Sequence, residues 1–278
     1  MYPRHDSSQY PQAVAGQATT SLDLQAIAAS PLIIRCLPPV PARPSTVVHI
    51  EFLLAERGID LEALSQIVAS YLGAMIEVLR MVGDLYDDEE SRPYRVQDCV
   101  VVLGAELLSR CIAGLDNTSY RVQGPSIVKF WERARRIGLF ARALASPFPA
   151  FDREKAYLAG LLHELGRLPK LLGWDLPVLN TDDISRAGSL LAEAWSLPSF
   201  VTSAIRDRST SGLSSFWSHT VAASQELVDL SENLTGCGLE SSLPSRFEQQ
   251  LMQRFPKMRS SERDELLPSL LALSMSAE

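Results

Sequence analysis

Apolar residues recur at helical spacing along nearly the whole chain from residue 45 onward. No run of alternating apolar and polar residues, bounded by turn residues, interrupts this pattern as a strand would. The period of an apolar pattern is the primary local signal that distinguishes a helix from a strand. The sequence therefore predicts an all-α protein, a bundle of many helices that bury their apolar stripes against one another.

One stretch of this pattern, residues 152–172, holds an ionisable pair in strongly apolar surroundings. It reads DREKAYLAGLLHELGRLPKLL. Its apolar stripe consists of Tyr157, Leu161, Leu165, Leu168 and Leu172. The spacing predicts a buried helix with Asp152 as its N-cap. A tightly packed helix seldom carries adjacent ionisable side chains without a role, so His163 and Glu164 are the candidate functional residues.

The composition is that of a globular chain with a large core, since 46% of its 278 residues are hydrophobic and 21% are charged. The net charge of −7 argues against non-specific binding to nucleic acid or to an anionic membrane, because such binding depends on clustered lysine and arginine. The longest apolar runs fall far short of the roughly 20 residues that span a bilayer, so no membrane segment is expected. Four cysteines without zinc-like spacing indicate reduced, mostly buried thiols in a cytoplasmic protein.

The chain divides by composition into three parts. Residues 1–20 are rich in serine, glutamine, proline and threonine and lack periodicity, which predicts a flexible tail. Residues 21–236 form the predicted helical domain. Residues 237–278 predict a helical extension that packs on this domain or on a second copy of it. The second arrangement would be a homodimer.

The stretch AGLLHELGRL at 159–168 resembles the helix that carries the His-Asp doublet of HD-type phosphohydrolases. The resemblance is closer to the HDOD family, a group of HD-related output domains of bacterial signalling proteins. Further stretches agree with that family in order and spacing: CLPPVP at 36–41, IVASYLGAMIEVLRMVGD at 67–84, VVVLGAELL at 100–108 and FWERARRIGLFARALA at 130–145. The resemblance covers roughly residues 31–236. It implies an HD-like helical bundle that generally lacks a full set of metal ligands.

The resemblance also indicates what a metal centre would require of this chain. HD-type enzymes use an upstream histidine, the His-Asp doublet and a later aspartate, because a water-activating metal needs several N and O ligands from different helices. His163 matches the doublet, but Glu164 stands where the family has aspartate. Arg133 and Arg208 stand at positions where relatives carry histidine. The resemblance thus implies a degenerate HD pocket of these four residues, with no metal, no other cofactor and no catalytic residue.

The charges of this pocket allow two interpretations. Fixed cations beside Glu164 favour an ion pair with Arg133, Arg208 or both, which would stabilise the packing of three helices. The same arginines are candidates for binding a small anion such as a nucleotide phosphate, for which guanidinium offers a bidentate fork. The later aspartate of HD-type enzymes corresponds to either Glu226 or Asp229 in this sequence.

Two classes of function remain. The favoured one is a non-catalytic bacterial signalling or scaffold domain, which binds a partner protein or relays a ligand signal through the degenerate pocket. The alternative is a divergent metal-dependent phosphohydrolase that acts on a nucleotide or cyclic dinucleotide. The metal content of the purified protein distinguishes these two functions. A serine hydrolase is disfavoured because no G-x-S-x-G motif follows a strand, and no phosphate loop of the G-x-x-x-x-G-K-[ST] type occurs.

Overall fold

The computed structural model describes residues 34, 36–41, 44–55, 60–115, 120–176, 178–179, 181–207 and 215–275. The predicted tail at 1–20 and Arg208 lie outside these residues, so both stay predictions. The described residues contain helices, turns and loops, and no strand occurs among them. The predicted all-α class is therefore confirmed.

The first half of the described chain folds into five helices. They are α1 (Pro44–Ala55), α2 (Leu61–Ser70), α3 (Leu72–Leu85), α4 (Val96–Ala113) and α5 (Tyr120–Ala145). The Asp60 side chain caps α2 by accepting hydrogen bonds from the backbone N–H groups of Glu62 and Ala63, both at 3.0 Å. α4 is kinked at Gly104, whose φ of 62° only glycine adopts without strain. α5, the longest helix, runs against the stretch that carries His163.

The second half continues with α6 (Arg153–Leu162), α7 (Leu168–Leu172), α8 (Ile184–Ala194), α9 (Ser199–Arg206), α10 (Phe216–Gly236), α11 (Leu243–Arg254) and α12 (Ser260–Met275). Short 3-10 turns occupy Leu165–Arg167 and Glu240–Ser242. α5 and α6 approach closely because they meet at glycines: a Cβ on Gly160 would lie 2.9 Å from the Cα of Gly138. This contact brings the end of α6 close to α5.

One continuous apolar core joins most of the helices. It extends in sequence from Ile34 to Val221 and includes fully buried side chains of α3, α4 and α6, such as Met75, Ile112 and Leu161. Fully burying one such side chain contributes about 1.5–3 kcal/mol. The apolar stripe of residues 152–172 lies mostly inside this core, so its predicted burial is confirmed.

The C-terminal helices belong to a second apolar cluster. α11 and α12 pack against α5 and α10 through side chains that include Phe247, Leu251 and Leu270. The Phe247 ring meets Phe140 of α5 edge to face, with the ring centroids 6.0 Å apart. The predicted helices of the extension are therefore present, while the predicted division of the chain into domains stays a prediction.

The cysteines lie in two kinds of environment. Cys99 and Cys111 are buried in α4, and burial raises the pKa of each thiol to about 12. Cys36 and Cys237 are exposed, because one lies in the proline-dense stretch before α1 and the other directly follows α10. The expectation of mostly buried thiols is therefore met at half of the positions.

The described helices can be compared with the requirements of a membrane span. None of them is by itself long and apolar enough to cross a membrane. Of the described helices, α2 and α3 meet the requirement only when taken together, and they are bent by 112° relative to each other. The cytoplasmic location stays a prediction.

Candidate functional site

His163 and Glu164 lie directly after α6, where the helix ends. Both are buried, with 1% of each residue exposed. The Nδ1–H of His163 donates to the Gly160 carbonyl at 2.6 Å, because a carbonyl oxygen only accepts. The other ring nitrogen, Nε2, lies 3.9 Å from the Glu164 carboxylate. The imidazole ring is therefore held in one orientation inside the core.

The chain after His163 departs from the continuous helix predicted over 152–172. α6 ends at Leu162, and a 3-10 turn and the short α7 follow. The physical reason is the close approach of α8, since a Cβ on Gly166 would lie 1.9 Å from the Ile184 carbonyl oxygen. The prediction of one helix is wrong at this point, and the break places Glu164 on the wall of a cleft.

The Glu164 carboxylate has an arginine neighbour on the same turn. Nη2 of Arg167 lies 3.4 Å from Oε1 of Glu164. The Glu164 side chain is 1% exposed and the Arg167 side chain is 44% exposed, so the pair connects the core with solvent. Burying a carboxylate is costly unless it is paired, and Arg167 supplies a positive charge.

Arg133 of α5 bonds to two acids of α10. Its Nη2 donates to Asp229 at 2.6 Å and its Nη1 donates to Glu232 at 2.9 Å. Arg136 also donates to Glu232, at 2.9 Å. Burial acts to lower the pKa of Arg133, but the bond to Asp229 and the charges of nearby acids outweigh it, so the pKa is raised above its ordinary value. The guanidinium is therefore a permanent cation in this part of the molecule.

The predicted ion pair between Arg133 and Glu164 is not a direct contact within the described residues. The reason is that α10 places two carboxylates within hydrogen-bonding distance of the guanidinium, and its Nη1 and Nη2 groups both donate to them. Arg133 and Glu164 nevertheless line the same cleft. The other predicted partner, Arg208, lies outside the described residues, so its part in the pocket stays a prediction.

Glu226 and Asp229, the two candidates for the later acidic ligand of HD-type enzymes, form different contacts. Asp229 contacts Arg133. Glu226 faces the C-terminal extension, where its carboxylate accepts a hydrogen bond from Arg254 Nε at 2.7 Å and another from Gln250. Within the described contacts, Asp229 is thus the one of these two acids that bonds to a residue of the predicted pocket.

The described side chains around His163 do not form the ligand set of an HD-type metal centre. In the part of the chain that the structure describes, no group of three or more histidine, cysteine, aspartate and glutamate side chains is arranged to hold a metal ion. A metal that activates water needs several such ligands converging from different helices. The sequence resemblance places Arg133 where relatives carry a histidine, and in the structure Arg133 bonds to Asp229.

A cleft of about 820 Å³ lies between α5, α7 and the start of α8, beside Glu164. Its basic side chains are Lys129, Arg133, Arg167 and Lys170. Its acidic side chains are Glu164 and Asp182. Its apolar side chains are Phe130, Leu171, Leu179 and Ile184. Small-molecule sites commonly have volumes of roughly 300–1,000 Å³, so the cleft, which we call the basic cleft, has a suitable size for a ligand.

A second cleft, of about 970 Å³, lies at the opposite end of α6. Asp152 caps α6 there, as predicted, by accepting a hydrogen bond from the Glu154 N–H at 2.7 Å. Asp152 also accepts from the Tyr94 hydroxyl at 2.5 Å, and Arg142 pairs with Glu154 at 2.6 Å. The described residues of this cleft include none predicted for the HD pocket, and several of its charges are paired.

Sequence reasoning missed three basic residues of the basic cleft. Lys129 precedes Arg133 by four residues on α5, and Arg167 precedes Lys170 by three, so each pair has a helical spacing that brings its side chains together. These spacings are visible in the sequence. The sequence does not show that α5 and α7 face the same cleft, because that depends on how distant segments pack.

Residues 40–173 match the HDOD domain family. The chain carries an HDOD domain. The matched residues include α1 to α7 together with His163 and Glu164, so the wall of the basic cleft formed by α5 and α7 belongs to the HDOD domain. The match ends before α8, whereas the resemblance in the sequence extended to about residue 236. No protein of curated function matches the sequence.

Two solved structures share the fold of this chain, and a third matches it at a lower TM-score. The MmoQ response regulator from Methylococcus capsulatus str. Bath matches with a TM-score of 0.60 at 14% identity, over 84% of this chain and 99% of that chain. A second structure, of MmoQ fragment 20–298, matches with a TM-score of 0.57 at 13% identity, over 81% of this chain and 94% of that chain. An HDOD domain protein from Geobacter sulfurreducens matches with a TM-score of 0.37 at 16% identity, over 92% and 99%. At the identity of the MmoQ structures, the shared property is the fold.

Proposed function

We propose that this HDOD protein is a non-catalytic signalling module, which binds a partner protein or relays a ligand signal through the basic cleft. The observation that carries the proposal is the bonding of Arg133 to Asp229 and Glu232, at 2.6 and 2.9 Å. A divalent metal at this place would have to displace the guanidinium or lie beside it. Like charges repel, so either arrangement opposes metal binding.

The fold supports the signalling part of the proposal. MmoQ, whose fold covers most of this chain, is described as a response regulator. The HDOD family that the sequence resembles consists of output domains of bacterial signalling proteins. Signalling domains act by binding, and the charged surface of the basic cleft offers a place where a ligand could bias such an interaction.

The competing function is a metal-dependent phosphohydrolase that acts on a nucleotide or cyclic dinucleotide. One observation favours it. The Nδ1–H of His163 donates to the Gly160 carbonyl at 2.6 Å, which is the orientation of many metal-ligating histidines that bind through Nε2. A single histidine in this orientation gives one ligand, whereas a catalytic metal needs several.

Metal content and phosphate release from the purified full chain test the proposal. We expect no stoichiometric Mn, Fe, Ni or Zn by mass spectrometry of the digested protein. We also expect no phosphate release from nucleoside monophosphates, triphosphates or cyclic dinucleotides when these metals are added. The physical reason is that the carboxylates near Arg133 are already bonded to a fixed cation.

His163→Ala and His49→Ala form a matched pair for this test, because His163 is buried beside Glu164 and His49 is exposed on α1. The proposal is wrong if the wild type holds stoichiometric metal and hydrolyses a nucleotide, and if His163→Ala alone abolishes both. Metal content is measured separately from activity. A loss of activity through unfolding would be recognised by circular dichroism.

The proposal also includes a protein partner, either a different protein or a second copy of this chain. Sedimentation velocity of the full chain over a hundredfold range of concentration tests the second copy. A sedimentation coefficient that rises with concentration is expected for a homodimer. A constant value for the monomer would exclude the homodimer and leave a different protein as the partner.

A further inference from the structure

The basic cleft has a charge opposite to that of the whole chain. The chain carries a net charge of −7, yet the cleft contains four basic and two acidic side chains. The basic residues come from two segments: Lys129 and Arg133 from α5, and Arg167 and Lys170 from the turn and helix after Glu164. Positive charge from separate segments meets in one concave place, and such an arrangement attracts anions.

The basic side chains are not equally available to a ligand. Arg133 bonds to Asp229 and Glu232, and Arg167 lies 3.4 Å from Glu164. Lys129 and Lys170 are exposed, and neither forms an ion pair with any described residue. The two lysines are therefore the cations that an incoming anion would meet first. Each offers three N–H donors on a flexible stem.

The same cleft also has an apolar wall. Leu171 and Ile184 are half-buried there, with Phe130 and Leu179 behind them. Apolar side chains of this kind remove a flat ring from water, and the burial of its apolar surface favours binding. A ligand that suits the cleft therefore has an anionic group and an uncharged ring.

We propose that the basic cleft binds a nucleoside monophosphate, with its phosphate on Lys129 and Lys170 and its base against the apolar wall. This nucleotide-binding proposal rests on the proposed function, because a non-catalytic signalling module binds its ligand without hydrolysing it. Arg167 assists through its Nη groups on the solvent side of Glu164. A nucleic acid polymer does not suit the site, since two lysines neutralise too few phosphates and the surrounding chain is acidic.

Calorimetric titration of the full chain tests the proposal with AMP and GMP as probes. Inorganic phosphate and the nucleosides adenosine and guanosine are titrated in parallel. We expect at least one nucleotide to bind tenfold or more tightly than inorganic phosphate and its own nucleoside. If inorganic phosphate binds as tightly as both nucleotides, the apolar wall has no part and the proposed ligand class is wrong. If no nucleotide gives saturable binding at millimolar concentration, the site itself is wrong.

The double variant Lys129→Ala with Lys170→Ala is expected to weaken nucleotide binding at least tenfold. Lys257→Ala is the matched control, because Lys257 is an exposed lysine of the C-terminal extension, outside the cleft. Exposed lysines contribute little to folding, so both proteins should have the thermal stability of the wild type. Equal nucleotide affinity of the double variant and the wild type would overturn the proposal.

Phosphate release measured in the same samples separates this proposal from the proposed function. Nucleotide binding that depends on the lysines, together with hydrolysis, would refute the non-catalytic function and keep the ligand class. A metal-free, inactive protein that binds no nucleotide would refute the ligand class and keep the function.

Discussion

Gly166 determines how the chain passes beside the buried acid Glu164. A Cβ at Gly166 would lie 1.9 Å from the Ile184 carbonyl oxygen and 2.8 Å from the Gly188 amide nitrogen. Both atoms belong to the backbone, so neither can rotate away as a side chain would. The turn after α6 and the first turn of α8 are therefore in direct backbone contact, which only glycine permits.

Gly166→Ala is expected to lower the free energy of unfolding by about 1–3 kcal/mol or more, the usual cost of overpacking. Gly236→Ala is the matched control, because a Cβ at Gly236 meets no atom within 4 Å. Alanine is favoured over glycine in a helix by up to about 1 kcal/mol, so the control should be neutral or stabilising. Urea denaturation of both variants measures the difference. Equal stability would show that α8 does not contact the turn.

At the scale of elements, the first turn of α6 depends on the charge of its N-cap. Burial acts to raise the pKa of Asp152, but bonds from Tyr94 and from the backbone N–H groups of Glu154 and Lys155 outweigh it, so this pKa is lowered. Burial and the bond to Asp152 raise the pKa of Tyr94 to about 12. The Tyr94 hydroxyl thus remains a donor to an ionised acceptor at neutral pH.

Tyr94→Phe should destabilise the protein by about 0.5–1.5 kcal/mol at pH 7, because a hydrogen bond to the cap is lost. The stabilisation from Asp152 is present above the unfolded pKa of about 3.9 and is lost as pH falls through the lower folded pKa. The difference between wild type and variant should therefore decrease progressively as the pH falls below about 3.9. Denaturation from pH 7 down to about pH 2 measures this decrease, with Tyr71→Phe as control, since the Tyr71 hydroxyl has no hydrogen bond with any described residue. A difference that persists in acid would contradict this assignment.

The sequence predicts the elements where the cause is local. The stripe around Leu161 identifies a helix, and Asp152 identifies its beginning, because both signals lie within a few residues of the structure that they describe. The end of α6 is different. It depends on contact between Gly166 and α8, and no local signal marks that contact.

The candidate site shows the same division between local and distant causes. His163 and Glu164 are recognisable from their apolar surroundings, and both are buried. The partner of Arg133 is not recognisable from the sequence. Asp229 lies 96 residues away, and the register between α5 and α10 decides the pairing. Sequence reasoning placed Arg133 in the pocket and missed the acids that bond to it.

At the scale of the whole molecule, two apolar clusters meet along α5. The larger contains Leu161 and extends over most of the helices, whereas the smaller joins α11 and α12 to α5 and α10. Ile137 and Phe140 of α5 lie in the smaller cluster, and Ala134, three residues before Ile137 on the same helix, lies in the larger. The stability of the whole chain should therefore respond strongly to a cavity beside α5.

Leu161→Ala is expected to cost about 2–5 kcal/mol, because Leu161 is fully buried in the larger cluster. Chemical denaturation measures this change, and the exposed Leu239 provides Leu239→Ala as the control. Hydrogen exchange of the wild type should also show residues 153–166 among the slowest to exchange. A cost below about 1 kcal/mol, or fast exchange at 153–166, would place α6 outside the core.

The guanidinium of Arg133 is a covalent part of the polypeptide, and this has a consequence for the cell. A bound metal dissociates, is exchanged for other metals and is removed by chelators. The arginine that links α5 to Asp229 and Glu232 is present in every molecule as soon as the chain folds. The stability of this link should therefore be the same in a metal-starved cell and in a metal-rich one.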